Sequence, residues 1–389
     1  MSALRRNRPL TVVVGGMVGR VPHQGGATWA VLQYLLGLRR LGHNVFFFES
    51  IDANSVMPAR SPLSCSRNAR YVETVMADAG LTSSWALLLE GTHETAGMNT
   101  DAVGEVFRRA DLLLNLAGSL KDPLVEVIPL RAYVDLDPAF TQIWQETYAI
   151  EMGLDTHTHF LSVGQSIGSS SCPVPALGRD WTGMLPPVVL DLWPAVPTAA
   201  ERWSSVANWR SYGSVEYAGQ FYGQKAHSWR ELLPLPALTG ARYEVAMAID
   251  PGDGGDLADL QAHGWHLVDP VTAAGSPDSY RRFIEGSRAE LAIAKSGYVS
   301  SRSGWFSDRS VCYLSAGRPV VAQETGFSEW IPTGDGLCSF ATLDEACEAV
   351  AQVEGDYERH SRGARRLAEE VFSSDKVLTS MMQAIGADQ

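Results

Sequence analysis

Residues 294–327, AKSGYVSSRSGWFSDRSVCYLSAGRPVVAQETGF, constrain the fold more than any other stretch of the chain. An apolar run ending at Ala294 reads as a strand end, and 295–307 supplies serines, glycines and two cations, as a loop would. Residues 308–316 have helical character, Gly317-Arg318-Pro319 turns the chain, and 319–322 re-enters a core. Strand, loop, helix, turn and strand make the repeating unit of a parallel sheet, which is covered by helices on both faces. The first N–H groups of a helix lack intrahelical partners and sit at the positive end of its dipole. The helix start at 307–309 is therefore a ready anion site, and a nucleotide diphosphate is expected there.

The same alternation opens the chain. Residues 10–14 form an apolar run, 27–41 carry helical spacing, Gly42-His43 stops that helix, and 44–49 (NVFFFE) is a second run. Both runs are continuously apolar, as buried parallel strands are. Helices are predicted at 70–79 and 101–109, and strands at 85–89, 110–116 and 130–135. Between 164 and 197, Pro, Gly and Ser become dense and tryptophans cluster, which reads as an irregular interdomain passage. Alternation resumes with strands at 205–209, 243–249, 265–268 and 291–294 and helices at 224–233 and 279–285. Amphipathic helices follow at 343–353, 356–372 and 376–385. The expected fold class is α/β, with two facing Rossmann-like, doubly wound domains and a cleft between them.

A chain of 389 residues is long enough for two cores of this kind. A net charge of −13 argues against nucleic acid as the main partner. The five cysteines are scattered with no CxxC pair, so neither a disulfide framework nor a zinc site is indicated. The first apolar run is too short for a signal peptide, and no segment reaches the roughly 18 apolar residues of a membrane span. A cytoplasmic protein is expected.

Four groups of residues are candidates for chemistry. Gly25-Gly26 precede a helix and open its N-terminus to an anion or a sugar, or serve close packing alone. His23, in the same loop, has a side chain that titrates near neutrality and suits a general base. Asp135 and Asp137 lie at a strand end, where ligands collect in open α/β sheets, although Asp137 can equally cap the turn at Pro138. Arg210 and Lys225 follow the first strand of the second half and are placed to clamp a diphosphate. Around 294–327, Lys295, Ser307, Asp308 and Arg309 add charge and donors. Glu324, Thr325, Gly326 and Phe327 follow the last core strand, where a carboxylate can hold sugar hydroxyls.

Two segments carry a family resemblance. GGATWAVLQYLLGLRRLGHNVFFFE resembles the glycine loop, long first helix and second strand of the two-domain nucleotide-sugar glycosyltransferases, the GT-B fold. GWFSDRSVCYLSAGRPVVAQETGFSEW resembles their donor-site helix, following strand and sugar loop. The resemblance implies a donor-binding C-terminal domain, with Arg210 and Lys225 on the diphosphate and 324–327 on the sugar. It implies His23 or Asp137 as base and Gly25, Gly26 and Asp135 on the acceptor side. One departure stands out: where many members carry a ribose-binding Glu, this chain has Cys312, and Asp308 one turn upstream is the substitute expected.

The domain boundaries expected are 1–190 (acceptor), 191–372 (donor) and 373–389, a helix returning to the first domain. The expected activity is metal-independent and cofactor-free transfer of a hexose-type sugar from a nucleoside diphosphate to a small molecule. Two other functions of the same fold remain open, a nucleotide-sugar 2-epimerase and a binding protein without turnover.

Overall fold

The structure, a computed structural model, describes residues 8–197 and 199–387. Arg5, Arg6 and the extreme ends of the 1–190 and 373–389 segments lie outside the described residues.

Sixteen strands are present among the described residues. The first eight are β1 Thr11–Gly15, β2 Asn44–Ile51, β3 Trp85–Leu89, β4 Thr95–Gly97, β5 Leu112–Leu116, β6 Leu130–Asp135, β7 His159–Ser162 and β8 Trp181–Gly183. They form one sheet in the order β4-β3-β2-β1-β5-β6-β7-β8, parallel except for β4. The second sheet is built from β9 Arg202–Asn208, β12 Arg242–Ala248, β13 His266–Val268, β14 Ala289–Ala292, β15 Val320–Gln323 and β16 Leu337–Phe340. Its order is β13-β12-β9-β14-β15-β16, all parallel. A small hairpin, β10 Val215–Tyr217 and β11 Gln220–Tyr222, stands apart. The expected pair of doubly wound domains is what the chain forms.

Both strand orders reverse beside the first strand of their sheet, at β1/β5 and at β9/β14. A crevice opens at such a switch point because successive crossovers leave on opposite faces. β1 and β5 bury runs of valine and leucine completely, and β15 opens on two fully buried valines, which is why these strands were legible as apolar runs.

The helix Gly25–Arg40 carries one of the contacts between domains. The Trp29 indole N–H donates to the Pro277 carbonyl at 2.8 Å, and Trp29 packs on Trp193 at 4.9 Å between ring centroids. Trp193, in the irregular passage, is completely buried and also meets Tyr280. Trp203 and Trp209 belong instead to the second core, with Trp229 and Trp265. The last helix, Ser374–Ala384, returns to the first domain and lies across Gly25–Arg40. Its approach is close enough that a Cβ at Gly37 would stand 2.5 Å from Leu378 Cδ1 and 2.9 Å from Ser374 Cβ.

Several elements go beyond those the sequence pattern predicts. They include the helices Phe140–Tyr148, Gly254–Ala262 and Ser296–Ser301, the short strands β4, β7 and β8, and the hairpin. Each is short, and Phe140–Tyr148 begins from Ala139 at φ +77° immediately after Pro138. Gly37→Val should destabilise the protein by about 1–3 kcal/mol through overpacking, measured by urea denaturation. Unchanged stability would show that the last helix does not rest on this glycine.

Candidate functional site

The carboxyl ends of β9 and β12, with the segments that follow β1 and β14, face a cavity of about 370 Å³ between the domains. This lies within the ordinary range of small-molecule pockets. From the first domain come His23, Gln24, Gly25, Gly26 and Ala27, and from the second Asn208, Ser211, Lys225, Lys295, Tyr280 and Ser307 to Arg309. The N-termini of two helices, Gly25–Arg40 and Asp308–Ser315, therefore open on the same space from opposite domains. Ser307 caps the second, its hydroxyl accepting from Arg309 N at 3.2 Å.

Three cations surround this cavity, each in a different electrostatic state. Arg309 is buried and paired through Nε with Glu290, a wholly buried carboxylate on β14, while Nη1 donates to the Val206 carbonyl at 2.7 Å. Its Nη2 and Glu290 Oε2 make no hydrogen bond. Among the described residues the Lys225 ammonium makes one hydrogen bond, to Ile293 O at 2.9 Å, and no ion pair. Burial, and after it the neighbouring Arg309 guanidinium, hold the Lys225 ammonium well below the usual lysine range. An anion placed among these groups reverses that penalty, because it offsets the repulsion and replaces the lost hydration. Asp308 is exposed to the cleft, yet protein surrounds it closely enough that burial raises its carboxyl, with Arg309 opposing.

Lys295, the third cation, is occupied. Its Nζ donates to both oxygens of Asp137 at 3.1 Å and to the Tyr212 hydroxyl. Tyr298 and Tyr212 donate their hydroxyls to the same carboxylate, Tyr298 at 2.5 Å. The ammonium also stands 4.2 Å from the Tyr212 ring centroid and 5.0 Å from that of Phe140. Asp137 belongs to the first domain and its three partners to the second, so this cluster is a clasp across the cleft. A carboxylate accepting from three side chains is not placed to take a proton from an acceptor, and Asp137 does not line the cavity. Asp135 is equally engaged: it accepts from Thr141, Gln142, Ser162 and the Asp137 N–H and has no exposed surface. Its place is structural rather than on the acceptor side.

Two further groups stand away from the cavity. Arg210 turns its Nε to Asp253 at 3.1 Å, with Asp256 at 3.9 Å, and does not line the cavity. Glu324 accepts from Gly326 N at 2.6 Å within its own turn. Thr325 donates to the Trp305 carbonyl at 2.5 Å and accepts through its own carbonyl from Gly304 N. Gly326 adopts φ +91°, and Phe327 packs on Phe306. The 324–327 turn thus shapes the cavity by bracing Trp305, whose ring stacks on Tyr298 at 4.3 Å. Gly25 and Gly26 line the cavity and also permit domain contact. A Cβ at Gly25 would stand 2.3 Å from the Ser276 carbonyl oxygen, and one at Gly26 would stand 3.0 Å from the Tyr280 ring. Cys312, in the position of the missing Glu, meets Gln33 of the first domain at 3.8 Å and is buried.

Glu49 escaped the sequence reading. Its carboxylate accepts three successive N–H groups, Val18 at 3.0 Å, Gly19 at 2.6 Å and Arg20 at 2.9 Å, and so holds the loop that leads to His23. Its signal was one acid at the end of NVFFFE, which is where a strand can also simply end. Tyr280, Tyr298 and Trp305 were likewise not singled out, the first lying in a predicted helix and the other two in a predicted loop.

Burial pushes the Glu49 carboxyl up to about 7, against the pull of the three backbone donors. The folded state therefore holds a proton between roughly pH 4.5 and 7 that the unfolded chain has lost. Stability from this group is complete below that window and is lost as the pH rises through about 7. Relative to Glu49→Gln, the wild type should lose about 3 kcal/mol across it, measured by urea denaturation at each pH; parallel profiles would remove Glu49 from this role. Asp137→Asn should destabilise by about 2–3 kcal/mol, because it strands the buried Lys295 ammonium while Asp137 itself is a quarter exposed. Adding Lys295→Met should restore most of that loss; no restoration would mean that the clasp is not an ion pair in energetic terms.

No protein-family model matches the chain, and no curated protein matches it by sequence. Solved structures do resemble it over nearly their whole length. The HepE protein of Anabaena, solved with UDP and glucose, is 11% identical with a TM-score of 0.57, covering 97% of this chain and 100% of that one. AviGT4, a glycosyltransferase involved in avilamycin A biosynthesis, is 13% identical at a TM-score of 0.52, with 97% of each chain covered. An α-glucosyltransferase, solved with UDP-glucose and DNA containing an abasic site, is 9% identical at 0.58, covering 96% of this chain and 99% of that one. Among the described residues no helix is long and apolar enough to cross a membrane. With two parallel sheets facing one another across a cleft and these likenesses end to end, the chain has the GT-B fold.

Proposed function

We propose that the protein is a cytoplasmic glycosyltransferase moving a hexose-type sugar from a nucleoside diphosphate to a small-molecule acceptor. The observation that carries this reading is the convergence on one cavity of Lys225, Arg309 and two helix N-termini from opposite domains. That is an environment for a dianion, and neither domain provides it alone. The ligands bound in the similar structures, UDP and UDP-glucose, support the donor class.

In this reading the diphosphate lies between Lys225 and the start of the helix Asp308–Ser315. The acceptor oxygen forms a bond to the anomeric carbon as that carbon's bond to the diphosphate breaks. The diphosphate leaves with the electron pair, and its growing charge is met by Lys225, Arg309 and the helix N–H groups. His23, exposed and lining the cavity with its ring 5.2 Å from Tyr71, is the group placed to receive the acceptor proton.

A thermal-shift series with UDP, GDP and ADP tests the donor assignment. At 100-fold excess over its Kd the correct diphosphate stabilises by about 2.7 kcal/mol, a rise of several degrees at most. Lys225→Met should weaken binding at least about tenfold, because the cavity then lacks its one cation not paired with a carboxylate. No shift with any diphosphate would sink the assignment.

A further inference from the structure

A second cavity, of about 160 Å³, adjoins the first. Trp305 and Asp308 line both, so the two share a wall and the Asp308 carboxylate opens on each. The remaining lining is mostly apolar. Leu136 and Val163 follow β6 and β7 directly, Pro186 and Pro187 lie in the passage after β8, and Phe306 comes from the second domain. Gln33 is engaged on both sides of its amide, by the Val189 N–H at 2.8 Å and by Cys312 Sγ. Tyr34 is 2% exposed, and its hydroxyl reaches only Met184 sulfur, at 4.0 Å. A thioether is a weak acceptor, so this buried hydroxyl is poorly satisfied.

Volume and lining together restrict the occupant. A cavity of roughly 150 Å³ lined by aliphatic and aromatic side chains stays dry and accepts a benzene-sized ring. A sugar or polyol of that size carries several hydroxyls, each needing a partner once buried. Here the Asp308 carboxylate, the Tyr34 hydroxyl and the Trp305 indole N–H are the polar groups on offer, too few for a polyol. We propose that this cavity takes the acceptor as a compact aromatic ring bearing a hydroxyl, which Asp308 holds at the wall shared with the donor cavity. The ring sits among Leu136, Val163, Pro186, Pro187 and Phe306. The inference rests on the larger cavity being the donor site.

The test is ¹⁹F NMR of 4-fluorophenol with UDP-saturated protein, and a separate thermal shift reports UDP itself. The wild type should show a bound fluorine resonance. Ala30→Leu and Leu136→Phe, which fill the cavity without touching the larger one, should each weaken the ring at least about tenfold while keeping the UDP shift. Asp308→Ala should abolish the preference for 4-fluorophenol over 4-fluorotoluene, which lacks the hydroxyl. The proposal is overturned if a wild type that responds to UDP shows no bound fluorine signal. It is also overturned if both filled variants bind the ring unchanged. A missing UDP shift instead overturns the donor reading, and with it the acceptor role, whatever the ring does.

Discussion

Positive charge buried at the carboxyl ends of the second sheet is the constraint around which the cleft is organised. Lys225, Lys295 and Arg309 leave water together, and each must recover its hydration from protein groups. Arg309 recovers it from Glu290 inside its own domain. Lys295 recovers it from Asp137, which the opposite domain supplies. Lys225, among the described residues, makes one hydrogen bond, to a backbone carbonyl. The sheet is thereby locked internally at one cation, tied to its partner domain at the second, and left electrostatically incomplete at the third.

The contact between domains obeys a matching steric rule. Gly25 stands so close to the Ser276 and Ala274 carbonyls that any side chain there would push the helix Gly25–Arg40 away from the second domain. The same glycines leave the first N–H groups of that helix bare toward the cavity. Packing and anion recognition thus call for the same residue type, and the two readings of Gly25-Gly26 are compatible. The Asp137 clasp holds the opposite side of the cleft, and Phe140, Tyr212 and Tyr298 enclose it in a small aromatic core.

How much of this was legible in the sequence depended on range. The long apolar runs and periodic helices were readable because burial acts residue by residue along them. The helix start at 307–309 and Lys225 were readable because helix N-termini and cations after a core strand are local features. The role of Asp137 was not: its partners Tyr212 and Tyr298 lie 75 and 161 residues away, and nothing near Asp137 announces them. Arg210 looked available for the same reason, because Asp253 and Asp256 sit beyond another strand. The 324–327 turn resembled a sugar loop in composition, while its hydrogen bonds fold it back to brace Trp305. Cys312 departs from the family pattern in sequence, and in space it faces Gln33 of the first domain.

The central claim is that the incomplete charge at Lys225 is completed by a diphosphate shared between the two helix starts. A crystal structure of the protein with UDP tests it most directly. The diphosphate should lie within hydrogen-bonding distance of Lys225 Nζ and of the first backbone N–H groups of the helix Asp308–Ser315, with the Asp137–Lys295 clasp intact. A diphosphate bound elsewhere, or one in the cleft that leaves Lys225 on the Ile293 carbonyl alone, would contradict the account.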